Sequence, residues 1–223
     1  MKYQKKYFKR GDGLKIAAIS DIHEDEYFIK TLKKNKDEYD LILFAGDLTH
    51  IGNPVRIKYF MKKLNDIGKK VIFIPGNHDF YFEKEENIEE LKKEFQNIEI
   101  LINEYTEYEG LKIYGCPMSL RFFNWAFMCS EEQMKSFLPD KYVDILLIHQ
   151  PPLHDKLSKF YNFYSGNVNN PGSLSVNEYI KEFKPKYVIC GHIHENGRNV
   201  ANIENTKCIN VAQSINYINI DSH

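Results

Sequence analysis

The chain has 223 residues, of which 43% are hydrophobic and 27% are charged, and its formal net charge is -1. These values are typical of a globular protein with a sizeable core, and they disfavour a globally basic nucleic-acid-binding protein. No apolar run approaches the roughly 20 residues of a membrane helix, and no apolar signal stretch follows the basic N-terminus. We therefore expect one cytoplasmic domain over residues 1–223, without membrane association or a nucleic-acid partner.

The first half of the chain alternates hydrophobic runs with amphipathic stretches. An N-terminal strand is predicted to turn at 11–13 into a second strand at 14–20. Helices are predicted over 26–38, from Pro54 to about residue 68, and over 84–96. This β-α-β-α-β-α order indicates parallel strands that are covered by helices.

The second half contains more strand than helix. Short strands are predicted over 98–114, with a tight connection at 109–110, and helices over 130–138 and 173–184. Three further short strands are predicted between residues 198 and 220, and they suggest a second, more antiparallel sheet. Two sheets packed face to face with helices outside is the simplest architecture for this order.

Five hydrophobic strands each end in a motif that carries Asp, Asn or His. In chain order the motifs read Asp-Ile-His, Gly-Asp, Gly-Asn-His-Asp, His-Gln-Pro-Pro and Gly-His-Ile-His. Sites in open α/β sheets form at the carboxyl ends of strands, and residues two apart on a strand point the same way. A lone strand-end histidine is more often a core or capping residue, but five of the eight histidines fall in these motifs. The predicted metal ligands are Asp21, His23, Asp47, Asn77, His149, His192 and His194.

The ligand set mixes oxygen and nitrogen donors. Such a set suits manganese, iron, zinc, cobalt or nickel better than magnesium or calcium, which prefer oxygen alone. Seven ligands are too many for one ion with an open position, but they fit two ions that share a carboxylate. We expect two divalent metal ions, with manganese as the leading candidate. A hydroxide formed between such ions would attack a phosphorus ester.

The series of motifs resembles the calcineurin-like metallophosphoesterase superfamily over residues 14 to about 195. The resemblance implies an α/β fold, a four-layer αββα sandwich of two mixed sheets flanked by helices. It implies one metal held by Asp21, His23, Asp47 and His194, and another held by Asp47, Asn77, His149 and His192. It also implies that His78 donates a proton to the leaving oxygen and is oriented by Asp79. An aspartate beside a histidine can fix its tautomer and raise its pKa, which agrees with this role.

Within the superfamily, segments 46–54, 114–117, 122–125 and 192–195 resemble the brain metallophosphoesterase-domain (MPPED-type) proteins and their microbial relatives. Some of those proteins have Gly in place of His192, and they have Glu in place of Asp79, whereas the ligand set is complete here. The resemblance implies a phosphodiesterase for small or nucleotide-like substrates, including cyclic nucleotides. A phosphomonoesterase with the same centre is the alternative. A nuclease or a non-catalytic scaffold fits less well, given the near-neutral charge and the complete ligand set.

Two long segments, 116–129 and 150–172, are predicted to be irregular and contain many aromatic residues. Aromatic side chains at 122–127 and 160–164 could stack on a nucleobase, or could form a lid or a contact within a homo-oligomer. Arg121 could hold a phosphate or could stack on aromatic rings.

Other polar residues have weaker signals. His50 could touch the substrate or be a solvated loop residue, and Glu195 could support a ligand histidine or be exposed. His154 and His223 are expected at the surface. The four cysteines form no C-x-x-C pair, so we expect free thiols rather than a disulfide framework.

Overall fold

The computed structural model describes residues 13–162 and 166–220. The expected N-terminal strand, His223 and the end of the 160–164 aromatic cluster lie outside the described residues. The strands are β1 (Leu14–Ser20), β2 (Leu41–Ala45), β3 (Lys70–Ile74), β4 (Ile98–Ile100), β5 (Glu104–Tyr108), β6 (Leu111–Cys116), β7 (Ser119–Leu120), β8 (Met128–Cys129), β9 (Ile145–Ile148), β10 (Phe160–Asn162), β11 (Asn167–Asn169), β12 (Tyr187–Cys190), β13 (Val200–Ile203), β14 (Thr206–Asn210) and β15 (Ser214–Ile220). The helices are α1 (Glu26–Lys34), α2 (Pro54–Asn65), α3 (Glu85–Glu94), α4 (Glu131–Phe137), α5 (Asp155–Ser158) and α6 (Leu174–Phe183).

The first sheet has the order β15-β1-β2-β3-β4, in which β1 to β4 are parallel and β15 is antiparallel to β1. Local sequence explains the helices between its strands. Asn53 accepts hydrogen bonds from two amides at the start of α2, and Pro54 occupies the first turn, where its missing N–H does no harm. On α3, Ile88 and Leu91 are buried as the periodicity predicts.

The second sheet has the order β13-β14-β12-β9-β6-β5, with parallel pairs in the middle and antiparallel pairs at both edges. The tight connection predicted between β5 and β6 is present, because Glu109 and Gly110 both have positive φ, as in a two-residue hairpin. The expectation that all three tail strands build the second sheet is wrong for β15. Its Ile218 and Ile220 pack between the two sheets, and β15 covers the free edge of β1.

Three hydrophobic clusters fill the spaces between four layers. Alternate residues of β1 point to opposite sides, so that Ile16 joins the core between the sheets and Ile19 joins the core under α1, α2 and α3. The outer face of the second sheet packs against α4 and α6 and also buries the four cysteines as free thiols. The predicted four-layer αββα sandwich of two mixed sheets is confirmed.

The two segments that were predicted to be irregular contain short elements. Segment 116–129 pairs β7 with β8, and segment 150–172 contains α5 and the antiparallel pair of β10 and β11. Within residues 13–162 and 166–220, no helix combines the length and the apolar content that crossing a bilayer requires.

Candidate metal centre

The carboxyl ends of β1, β2, β3, β9 and β12 bring all seven predicted ligands together. Asp21, His23 and His194 each offer a ligand atom within 4.8 Å of the others, and Asp47, His149 and His192 do the same. Asn77 joins the second group, because its Oδ1 lies 3.0 Å from His149 Nε2. A third group, His23, Asp47 and His78, overlaps both of these groups.

Asp47 lies between the two groups. Its Oδ2 is 3.4 Å from His149 Nε2 and 3.8 Å from His23 Nε2, so one oxygen faces both groups. Its Oδ1 accepts a hydrogen bond from the backbone N–H of His78 at 2.9 Å, which fixes the rotation of the carboxylate. Asp47 is only 1% exposed, so this carboxylate needs cationic or hydrogen-bonding partners.

The histidine tautomers direct lone pairs into the centre. His149 Nδ1 donates to the carbonyl of Ala45 at 2.7 Å, and His23 Nδ1 donates to the carbonyl of Thr49 at 3.3 Å. In the neutral ring, His149 Nε2 points its lone pair at Asn77 Oδ1 and Asp47 Oδ2, and His23 Nε2 faces Asp47 Oδ2. Converging lone pairs repel one another unless a cation or a proton lies between them, so the donor set fits a metal.

Charge compensates for burial at this centre. Burial alone would lower the pKa of His149, but the charge and hydrogen bond of Asp47, with Asp21 and the Ala45 carbonyl, raise it to about 9. Burial would raise the pKa of Asp21, whereas the hydrogen bond from His194 and the charge of His149 hold it below its ordinary value. A metal that binds here must therefore displace the proton of His149.

The backbone of the centre is strained and closely packed. Asp21, His23, Asp47 and His192 have φ values of 55°, 42°, 57° and 71°, in the left-handed region that non-glycine residues rarely adopt. Each such residue costs about 1–3 kcal/mol and persists only where the surroundings enforce it. A Cβ at Gly191 would collide with Ser20 Oγ and Asp21 Oδ2, so the glycine that precedes His192 is required by close approach.

His78 lies beside the ligand groups, but its orienting partner is not the expected one. Its Nδ1 is 2.6 Å from the carbonyl oxygen of His50, to which it donates. The Asp79 carboxylate accepts instead from the amides of Leu48, Thr49 and Gly76 and from the Thr49 hydroxyl, at 3.0–3.1 Å. The direct orientation of His78 by Asp79 is therefore corrected: Asp79 ties together the loops that follow β2 and β3.

Burial and the neighbouring charge of Asp47 raise the pKa of Asp79 to about 7, while its three amide donors act in the opposite direction. Sequence reasoning missed the His50 carbonyl, because a backbone acceptor leaves no residue-type signal. The imidazole ring of His50 stacks on that of His23, with centroids 5.5 Å apart, so His50 lies at the rim of the centre.

The aromatic segment 121–127 divides between two places. The Trp125 ring packs on the His78 ring, with centroids 4.2 Å apart. Phe122 lies 5.5 Å from the His192 ring, and together with Arg121 and Phe123 it lines a cavity of about 710 Å³. Glu195 also lines this cavity. His154 is away from the centre and caps α5, where its Nδ1 accepts from the Lys156 amide.

Known proteins share both the sequence pattern and the fold. Human metallophosphoesterase domain-containing protein 1 is 27% identical over 207 residues, which cover 81% of this chain and 60% of that protein. A probable glycerophosphodiester phosphodiesterase, GpdQ, of Arcobacter nitrofigilis is 26% identical over 191 residues, which cover 78% of this chain and 64% of that protein. The chain thus spans less than two thirds of the length of these two relatives.

The crystal structure of TT1561 of Thermus thermophilus shares the fold, with a TM-score of 0.71 at 16% identity, over 93% of this chain and 99% of that one. The sequence model of the calcineurin-like phosphoesterases matches residues 14–196, a range that includes every predicted ligand. The chain belongs to the calcineurin-like phosphoesterase family.

Proposed function

We propose that the chain is a phosphodiesterase that uses two divalent metal ions to hydrolyse small or nucleotide-like diesters. The observation that carries this proposal is the position of Asp47, whose Oδ2 faces His23 on one side and His149 on the other. A shared carboxylate between two ligand groups is the arrangement that two-metal phosphoesterases use.

Each ion would have its own ligands besides Asp47. Asp21, His23 and His194 would hold one ion, and Asn77, His149 and His192 would hold the other. Bound divalent ions would supply Lewis-acid activation of water and would neutralise the charge that builds on the phosphoryl oxygens. The mixed nitrogen and oxygen donors suit manganese, iron, zinc, cobalt or nickel, and we propose manganese as the first metal to test.

His78 would act on the leaving group. The His50 carbonyl holds the proton on Nδ1, so Nε2 is the atom that can carry a second proton to the departing oxygen. One ring nitrogen of His78 also lies within 4.8 Å of a ligand atom of His23 and of Asp47, so these three residues form a third group of potential ligands. We assign it to proton transfer because both partners already belong to the other two groups.

The preference for diesters has two supports. A relative that covers most of this chain is a probable glycerophosphodiester phosphodiesterase. The cavity beside His192, at about 710 Å³, also offers space for a second ester substituent, which a monoester lacks. A phosphomonoesterase with the same centre remains the alternative outcome.

A paired assay with metal analysis tests this proposal. Metal-free protein is reloaded separately with manganese, zinc, iron, cobalt and nickel, and its rates are measured on bis-p-nitrophenyl phosphate and p-nitrophenyl phosphate. We expect two bound ions per chain and faster hydrolysis of the diester. Faster hydrolysis of the monoester supports the phosphomonoesterase, and metal binding without hydrolysis of any ester supports a scaffold.

Asp47→Ala removes the shared carboxylate and so tests its role. The variant should lose both activity and bound metal, because neither ion keeps its bridging ligand. Asp66→Ala is the matched control, since the Asp66 carboxylate pairs with Lys62 on the surface beside α2, away from the centre. Two bound ions and normal turnover in Asp47→Ala contradict the bridging role.

A further inference from the structure

We propose that the cavity beside His192 binds the ester substituent that stays on phosphorus, and that this substituent is a flat aromatic ring with a hydrogen-bonding edge. This inference rests on the proposed phosphodiesterase function and adds a substrate class to it. Its first support is continuity with the metal centre, because His192 and His194 themselves line the cavity.

The walls of the cavity favour a flat apolar ligand. Phe122 and Phe123 are 48% and 73% exposed, and their rings meet edge to face with centroids 5.4 Å apart. Phe160 on β10, Val168 on β11 and Pro171 after β11 add apolar surface. A flat ligand ring that covers these exposed phenyl rings contributes favourable binding free energy, both from burial and from stacking.

Polar groups at the cavity would form hydrogen bonds with the edge of such a ring. Within the described residues, the Arg121 guanidinium forms no ion pair, so its donors are available to a ligand acceptor. Asn169 and Glu195 also line the cavity and present amide and carboxylate groups. A heteroaromatic ring that carries both donors and acceptors, such as a nucleobase, matches this mixture better than a plain hydrocarbon.

The position of His78 decides which ester group enters the cavity. His78 and Trp125 pack on each other next to His23, and neither is among the described residues that line the cavity. A proton donor must lie within hydrogen-bond reach of the leaving oxygen. The leaving group therefore departs on the His78 side, and the ring in the cavity belongs to the other ester bond.

Two diesters with the same leaving group test this assignment. Thymidine 5′-p-nitrophenyl phosphate and methyl p-nitrophenyl phosphate both release p-nitrophenolate, so they differ only in the retained substituent. We expect kcat/KM of the manganese-loaded protein to be about 10-fold or more higher for the thymidine ester, from the usual strength of base stacking on an aromatic side chain.

Phe122→Ala and Phe123→Ala should each reduce this preference about 10-fold. Phe122→Ala could also disturb His192, which Phe122 contacts. Phe123 is mostly exposed, so Phe123→Ala tests the cavity without that complication. Tyr27→Ala is the control, since Tyr27 is 66% exposed on α1 and does not line the cavity. A wild-type protein without the preference, or Phe variants that keep it, overturn the inference.

Calorimetry separates this inference from the proposed function. If neither diester is hydrolysed with any metal, the proposed function fails, and binding of thymidine 5′-phosphate is compared with binding of methyl phosphate. Tighter binding of the thymidine compound that Phe123→Ala abolishes upholds the cavity as a ring-binding site. Equal binding of the two compounds overturns it.

Discussion

Asp79→Asn removes an acceptor from the carboxylate that ties together the loops after β2 and β3. In the wild type, Oδ2 accepts from the amides of Leu48 and Gly76, and Oδ1 accepts from the amide and hydroxyl of Thr49. Every partner is a donor, so the NH₂ group of asparagine meets at least one backbone N–H whichever way it turns.

The cost follows from the partners that are lost. In the better orientation, NH₂ replaces Oδ1, and the Thr49 hydroxyl can reorient while the Thr49 amide stays unpaired. One buried, unpaired amide costs about 1–3 kcal/mol of unfolding free energy, and the opposite orientation leaves two. The neutral side chain also relieves the repulsion between Asp79 and Asp47, which opposes this cost, so we expect a net loss of about 1 kcal/mol and a fall in Tm of about 2–4 °C for a chain of this size.

Thermal unfolding of the metal-free protein measures this loss directly. Asp66→Asn, in which a surface carboxylate is changed, should keep Tm within about 1 °C, because exposed ion pairs contribute little. Asp79→Asn should also bind metal more weakly, since Asp47 and Asn77 lie on the loops that Asp79 joins. The dependence of its rate on the leaving group should stay as in the wild type, because the His50 carbonyl still holds His78.

The opposite pattern would refute this reasoning. If Asp79→Asn unfolds like the wild type, keeps its metal and loses rate mainly on poor leaving groups, then Asp79 acts on His78 itself.

Three further changes probe the centre. His78→Ala should keep its bound metal and lose about 10²–10⁴-fold in kcat on alkyl diesters, but less on nitrophenyl diesters, which need little protonation; an equal loss on both contradicts proton donation. Trp125→Ala should also lose more rate on alkyl than on nitrophenyl diesters, but by a smaller factor, because the Trp125 ring packs on His78 with centroids 4.2 Å apart. Trp125→Phe should restore the wild-type rates. Wild-type rates of Trp125→Ala on both ester types would contradict this positioning role. Gly191→Ala should abolish metal binding, since its Cβ meets Ser20 and Asp21, whereas Gly68→Ala, at a φ of 78° but with open space around it, should strain only its own turn and keep two ions; metal analysis decides.

Local sequence carried most of what could be predicted about the fold. Pro54 marks the start of α2 because its fixed φ and missing N–H suit only the first turn of a helix. The hydrophobic runs that end at Asp21, Asp47 and His149 are strands because they are buried on both faces. Strand ends in a parallel sheet share one edge, so the motifs predicted that these side chains would lie near one another, whereas their division between two ions came from the family resemblance.

The features that sequence reasoning missed depend on contacts between distant segments. The partner of His78 is a backbone carbonyl of His50, which any residue at that position would offer. Trp125 and Phe122 are three positions apart, yet the loop places them on different sides of the centre, and no periodicity predicts how a loop turns. The position of β15 depends on its register with β1, which a single sequence does not specify.

The pairing of β15 with β1 bears on the order in which the strands pair during folding. Residues Leu14 to Ser20 pair along their whole length with Ile220 to Ser214, so the two strands are about 200 positions apart in the chain. β1 can pair with β2 early, because β2 follows it closely in the chain, but its pairing with β15 must wait for residues 214–220. Loop closure over such a distance is slow, so the pairing of β1 with β15 should be a late step in folding. Pulse-labelling hydrogen exchange during refolding should show β1 and β15 gaining protection together.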